Sequence, residues 1–198
     1  MVSRIQSAQA IAGALALTFC AMTGCAAPAS VDEGPSSAVA TSSHPRPRLA
    51  PPVRTPLDAR GVGACALLTA VQLDELNLDP ATAVPKTVGI SDNCAWNFTD
   101  DPGNVGGVQL STHPTLPALD GVYLVRDTFA RFEPLEISGH PAVRADRTSA
   151  PSCTIYVGIA DYQAVAVGAD VAGRSSADIC APSRRMAELT LSNLPPLR

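Results

Sequence analysis

Four cysteines after residue 60, Cys65, Cys94, Cys153 and Cys180, limit the folds open to this chain if they pair with one another. Disulfides form in exported proteins and are rare in the cytosol, so the pairing depends on the compartment. None of the four lies in a C-x-x-C motif, which leaves zinc-ribbon and thioredoxin-like interpretations without support. Whether these cysteines pair therefore depends on export, for which the N-terminal sequence is the relevant observation.

The first 24 residues have the pattern of a secretory signal peptide. Arg4 gives a positive start, and residues 8–21 form an almost wholly apolar run. That run is shorter than the roughly 20 residues that a membrane-spanning helix needs. Met22-Thr23-Gly24-Cys25 then resembles the bacterial lipobox, in which small residues precede a Cys that becomes lipidated. We predict export and lipidation at Cys25; the alternative is a plain secretory signal with a Cys there by chance.

Residues 25–56 have the composition of a tether. They contain seven prolines and no aromatic residue. Such a segment cannot bury enough apolar surface to offset the entropy of ordering it, so we predict disorder. A lipidated Cys25 followed by this tether would hold a domain at the outer face of the cytoplasmic membrane, and two acyl chains suffice for stable anchoring.

Residues 57–198 have the length of a single globular domain. This region holds 16 acidic and 10 basic residues, a formal charge of −6. It has no basic patch, so nucleic-acid binding is not expected. A transporter's solute-binding protein is also disfavoured, because such proteins need two lobes.

The first half of this region predicts a helix and a strand hairpin. Thr69 and Gln72 fit a capping box, and the helix that they start should run to about Asn77. A loop marked by Pro80 and Pro85 should follow. Alternation over 94–98 and 108–111 then predicts a hairpin around a turn at 100–104.

The second half predicts two helices and further strands. Helical spacing covers 117–129, and a helix capped by Asp178 should end near Asn193. Short strands are expected at 135–137 and 142–147, with a turn over 138–141 between them. Alternation is strongest over 154–159 and 163–167, which should form a hairpin. We therefore predict an α+β domain: an antiparallel sheet of about five to seven strands with two or three helices packed on it.

The four cysteines allow three pairings. Cys153 opens the strongest predicted strand, and Cys180 opens the helix after its hairpin. A two-strand excursion returns the chain to the end that it left, so we favour Cys153–Cys180, and with it Cys65–Cys94. Each bridge would close a loop of about 30 residues and stabilise the fold by about 3–4 kcal/mol.

Several segments together resemble one protein family. They are residues 65–69 (CALLT), 94–96 (CAW), 139–143 (GHPAV) and 153–157 (CTIYV), followed by a late Cys180 ahead of a helix ending in Leu-Pro. In order and spacing they are similar to the actinobacterial lipoproteins grouped as domain of unknown function 3558. The resemblance implies a lipobox, a Pro/Ser-rich stalk and this fold. The family has no established activity, so the resemblance transfers no catalytic residue.

The residues with chemical potential have structural interpretations that we favour. Trp96 should pack in the core beside Cys94, because aromatic side chains supply large buried areas. His140 could act as a general base or a metal ligand, but no second His, Cys or carboxylate motif supports it. We favour a turn residue whose ring bonds to nearby backbone, and His113 has the same interpretation. Asp100 and Asp101 are expected in an exposed turn.

Signatures of common enzyme classes are missing from the sequence. It contains no G-x-S-x-G elbow, no H-E-x-x-H and no G-x-x-x-x-G-K loop. We predict a non-catalytic binding or accessory module without a cofactor or metal, whose partner is an envelope protein or a cell-wall ligand. The alternative is a small envelope hydrolase that uses His140 with a carboxylate.

Overall fold

An antiparallel sheet of seven strands forms the framework of the protein. The computed structural model describes residues 47–112, 118–149, 152–170 and 180–198, which fall in one compact unit, Pro45–Arg198. The strands are β1 (Val84–Val88), β2 (Ser91–Asn97), β3 (Val105–Thr112), β4 (Arg131–Ile137), β5 (His140–Asp146), β6 (Ser152–Ala160) and β7 (Gln163–Asp170). Their order is β1-β2-β3-β7-β6-β5-β4, so β1 and β4 are the edges.

Within the described residues, three α-helices accompany the sheet: α1 (Ala70–Glu75), α2 (Ala118–Leu124) and α3 (Ala181–Asn193). The strand and helix numbers agree with the prediction, although the sheet dominates and α+β describes the fold only in outline. The predicted hairpins β2–β3 and β6–β7 are confirmed. Within the described ranges, no helix is long and apolar enough to cross a membrane.

Both edge strands contain a proline, Pro85 in β1 and Pro134 in β4. An edge strand tolerates proline because the missing N–H need not pair on the outer side. The loop predicted around Pro85 was wrong, since residues 84–88 pair with β2 along their whole length. The β-branched residues Val84, Thr87 and Val88 were the strand signal that the nearby prolines obscured.

The β4–β5 hairpin is longer than predicted. β4 begins at Arg131 instead of Leu135, and β5 begins at His140. The turn predicted over 138–141 was too long, because only Ser138 and Gly139 have the positive φ values, 48° and 81°, that reverse the chain. His140 is therefore a strand residue.

One side of the sheet, which we call the α3 face, packs against α3 and holds the main core. Val108, Val157 and Val167 are almost completely buried there. The side of α3 that faces the sheet is apolar, and Cys180, Ala187, Leu191 and Leu194 are all buried. The helix begins at Ala181 with Cys180 at its N-cap position, and Asp178, the predicted cap, lies outside the described residues.

Helix α1 starts with the predicted capping box. The Thr69 hydroxyl accepts a hydrogen bond from the Gln72 N–H at 3.3 Å, and the Gln72 side-chain oxygen accepts one from the Thr69 N–H at 2.9 Å. The helix ends at Glu75, and Asn77 has a positive φ of 56°. Leu73 is buried against the main core, so this short helix is held by packing as well as by its cap.

The other side of the sheet, the α2 face, carries a second and smaller cluster. Leu119 packs there with Val143 and Ala145, and the aromatic rings of Tyr123, Phe129, Phe132 and Tyr156 extend the contact. Burial raises the pKa of Tyr156. The helix predicted over 117–129 ends at Leu124 instead, and a 3₁₀ turn at Arg126–Thr128 replaces its last part. The Thr128 hydroxyl donates to the Val125 carbonyl and stabilises that turn.

Residues 47–57, which we call the strap, are hydrogen-bonded to the domain. One carboxylate oxygen of Asp120 in α2 accepts from the N–H groups of Leu49 and Ala50, at 3.2 and 2.7 Å. Arg48 forms an ion pair with Asp161 at 2.8 Å, and the Leu57 N–H donates to the Ile159 carbonyl. The sequence analysis assigned residues up to 56 to a tether, whereas the strap belongs to the folded unit.

Candidate functional site: a groove on the α2 face

Helix α2 covers only one half of the α2 face. Its Leu119 side chain lies over β6, where a Cβ added to Gly158 would meet it at 3.3 Å. The helix also packs on part of β7. Among the described residues, no helix lies over β1, β2 and β3 on this side. A groove with a volume of about 640 Å³ remains there, in the size range of ligand sites.

The floor of the groove consists of very small side chains. Ala95 of β2 is in register with Gly107 of β3, Gly107 with Gly168 of β7, and Gly168 with Thr154 of β6. Ala166 extends this floor along β7. A Cβ built on Gly168 would make only ordinary contacts, 3.7 Å or longer, so the missing side chain leaves space above the sheet.

Apolar side chains and one cation form the rim. Val84, Val88 and Val105 are 60%, 56% and 42% exposed, and all three line the groove. Lys86 stands between the first two on β1 and is the only lysine of the chain. Among the residues that the structure describes, it is also the single charged residue that lines the groove. The ion pairs among the described residues leave its ammonium group without a carboxylate partner.

The amide side chains in the groove are engaged within the sheet. The Asn93 amide nitrogen donates to the carbonyl groups of Lys86 and Ser91, at 3.0 and 3.3 Å. The Gln109 amide nitrogen donates to the Ser91 hydroxyl at 2.9 Å. These bonds fix the polar groups of the floor, so the groove offers mainly apolar contact and one positive charge.

The two predicted disulfides are present. Cys65 is joined to Cys94 with a Cα–Cα distance of 5.0 Å, and Cys153 to Cys180 with one of 5.2 Å. The first links a 3₁₀ turn, Ala64–Ala66, to β2, and the second links β6 to the start of α3. Both support the sheet that carries the groove. The predicted lipidation residue, Cys25, lies outside the described residues.

The two residues singled out for possible chemistry both have structural surroundings. Trp96 is 1% exposed and belongs to the main core, as predicted. His140 is 6% exposed, and its Nδ1 lies 3.3 Å from the carbonyl oxygen of Gly158 on β6. This contact agrees with the favoured interpretation, in which the ring bonds to backbone.

The remaining candidates are Asp100, Asp101 and His113. Asp100 is exposed in the predicted turn, and Asp101 accepts from the Gly103 N–H and the Asn104 amide. His113 lies outside the described residues. Within the part of the chain that the structure describes, no three His, Cys, Asp or Glu side chains are grouped as metal ligands.

The sequence analysis did not find the groove. Lys86 lies in a segment that was assigned to a loop around Pro85. The glycines and alanines of β3 and β7 carried no recognisable motif. The repeated pattern of small residues at alternate positions, Ala164, Ala166 and Gly168, was the available signal.

The fold and the groove define a class: a disulfide-bonded antiparallel-sheet domain with one core face and one half-open face. The chain belongs to the family described as Protein of unknown function (DUF3558), whose model matches residues 20–193. This membership confirms the resemblance to domain of unknown function 3558. Comparisons with curated proteins and with solved structures found no match.

Proposed function

We propose that this protein is a lipid-anchored binding module of the bacterial cell envelope, and that it binds its partner in the groove of the α2 face. The observation that carries the proposal is the half-open sheet. Helix α2 packs on β6 and β7, with Leu119 against Val143 of β5, while β1 and β3 present exposed valines around a floor of glycine and alanine. Exposed apolar patches on a folded domain mark binding sites.

The N-terminal sequence supports the proposed location. Cys25 follows a signal-peptide pattern and would carry the lipid at the outer face of the cytoplasmic membrane. The strap begins at residue 47, so 21 residues separate it from Cys25. That spacer would let the groove reach envelope components near the membrane surface.

The position of the binding site can be tested by nuclear magnetic resonance. The full chain carrying Cys25→Ser, isotopically labelled, is titrated with a lipid extract and with solubilised cell-wall fragments of the envelope. We expect shifts at the side-chain amides of Asn93 and Gln109, with the Val71 signal on exposed α1 as the unperturbed reference. Shifts confined to other surfaces, or none from either fraction, would contradict the proposal.

A further inference from the structure

We propose that the groove binds the alkyl chain of a single-chain amphiphile whose anionic head group pairs with Lys86. This inference rests on the proposed function and specifies its ligand. The groove crosses β1, β2, β3, β7 and the start of β6. At about 4.8 Å per strand, these five strands span roughly 19 Å, which suits an extended chain.

The walls of the groove fit an alkyl chain. Ala95, Gly107 and Gly168 place no side chain larger than a methyl group along one cross-strand row. Val84 and Val105 stand at its margin with large exposed fractions. An alkyl chain lying on this row would remove apolar surface from water on both partners, at about 25 cal/mol per Å².

A peptide fits these surroundings less well. The backbone groups of β2, β3 and β7 are already paired in the sheet on both sides. The amides of Asn93 and Gln109 donate within the groove. Of the two sheet edges, only the outer edge of β1 lies at the groove, and Pro85 interrupts its donors.

The charge of the head group follows from Lys86. Several exposed cations elsewhere are paired: Arg48 with Asp161, Arg131 with Glu133, and Arg185 with Glu75. Exposed cations that form no ion pair within the described ranges, such as Arg184, lie outside the groove. Lys86 lacks such a partner among the described residues, although the folded region carries a formal charge of −6. A carboxylate at the rim would therefore meet one unpaired ammonium group while its chain occupies the apolar floor.

The test uses cis-parinarate, a fluorescent long-chain carboxylate, with the full chain carrying Cys25→Ser. This substitution removes the proposed anchor, so the protein brings no acyl chain of its own. Trp96 is the only tryptophan and lies on β2 next to Ala95 of the groove floor. Bound parinarate should therefore accept excitation energy from Trp96, and the signal should saturate.

Competition experiments distinguish the contribution of the alkyl chain to binding from that of the anionic head group. Palmitate should displace the probe about fivefold more strongly than hexadecanol, the effect of an exposed ion pair of about 1 kcal/mol. In Lys86→Gln this preference should disappear, while hexadecanol competes as before. Arg184→Gln, which removes an exposed cation of α3 on the opposite side of the sheet, should keep the preference.

A second variant tests the apolar floor by filling the groove with a side chain. Gly168→Leu places a side chain in the open space above β7 and should weaken both competitors at least tenfold. Far-ultraviolet circular dichroism and thermal unfolding establish that the variant is folded, and Gly168→Ala is the milder substitution if it is not. Loss of binding in a folded variant supports the groove as the site.

Three outcomes would overturn the inference. They are the absence of saturable energy transfer, binding that a folded Gly168→Leu or Gly168→Ala variant leaves unchanged, and equal competition by palmitate and hexadecanol. Displacement of the probe by peptides but not by palmitate would assign another ligand class. If parinarate does not bind but envelope fractions still shift Asn93 and Gln109, the ligand class is wrong and the binding module stands.

Discussion

Two buried hydroxyl groups of α3 have opposite surroundings. The Ser183 hydroxyl donates to the carbonyl of Cys153 at 2.8 Å, and both residues are fully buried. The Thr190 hydroxyl is equally buried, yet no hydrogen-bond partner is found for it within the described residues. A buried hydroxyl without a partner costs about 1–3 kcal/mol, so the two residues contribute to stability with opposite signs.

Substituting these hydroxyls should change stability in opposite directions. Thr190→Val keeps the shape and removes the unsatisfied group, so the free energy of unfolding should rise by about 1 kcal/mol. Ser183→Ala removes a donor from the Cys153 carbonyl and should lower it by about 1–2 kcal/mol. Urea unfolding measures both, and a loss of stability in Thr190→Val would show that its hydroxyl is satisfied.

Asp120 determines how the chain enters the domain. Because it accepts two strap N–H groups from a buried position, Asp120→Ala should lower the free energy of unfolding by about 1–3 kcal/mol. Trypsin cleavage after Arg54, which is exposed in the strap, should become faster. Asp127→Ala is the control, since that side chain is 94% exposed. Equal cleavage rates in the two variants would contradict the role of Asp120.

At the scale of elements, each disulfide joins segments that the sheet alone does not hold. Cys65–Cys94 holds the 3₁₀ turn against β2, and Cys153–Cys180 holds the start of α3 against β6. Removing either pair by substitution with alanine should lower the free energy of unfolding by about 3–4 kcal/mol. Peptide mapping without reduction should recover the same two pairs, and a crossed pairing or four free thiols would refute the arrangement.

The beginning of the folded domain should be sensitive to acid. The Arg60 guanidinium holds the pKa of the Asp58 carboxyl well below its usual range, and Arg48 lowers the pKa of Asp161. A lowered folded-state pKa stabilises the fold above the unfolded value of 3.8, and this contribution is lost as the pH falls through the folded value. Stability should therefore decrease below about pH 4.

A variant isolates the contribution of Arg60. In Arg60→Gln, stability at neutral pH should fall, and the difference from the wild type should shrink as the pH decreases from 4 towards 2, so the acid slope becomes smaller. Arg126→Gln is the control, because its ion pair with Asp127 is long, 3.8 Å, and exposed. Urea unfolding between pH 6 and pH 2 measures the slopes, and identical slopes for Arg60→Gln and the wild type would exclude this ion pair as a cause.

At the scale of the whole molecule, the proposed anchor controls where the groove can act. Cys25→Ser should move the protein from the membrane fraction into the medium, or leave an uncleaved precursor. Detergent phase partitioning distinguishes these results from the wild type. Partitioning of Cys25→Ser into detergent like the wild type would contradict lipidation at this residue.

Local signals in the sequence predicted much of the framework. The capping box of Thr69 and Gln72 and the β6–β7 hairpin depend on residues close in the chain, whose spacing fixes their hydrogen bonds. The disulfide pairs followed from the return of that hairpin to its starting end. The β1 strand was missed because Pro85 is tolerated only at a sheet edge, and position in the sheet is not a local property.

The amino-acid sequence by itself predicted the hairpins β2–β3 and β6–β7 and favoured the cysteine pairing that the structure shows. Export remains a prediction from the N-terminal pattern. Tertiary structure alone decided which half of the α2 face stays open, because that depends on where α2 packs and on the register that aligns Gly107 with Gly168. It also decided that Asp120 holds the strap. These contacts join residues far apart in the chain, and side-chain spacing along one strand or helix carries no information about them.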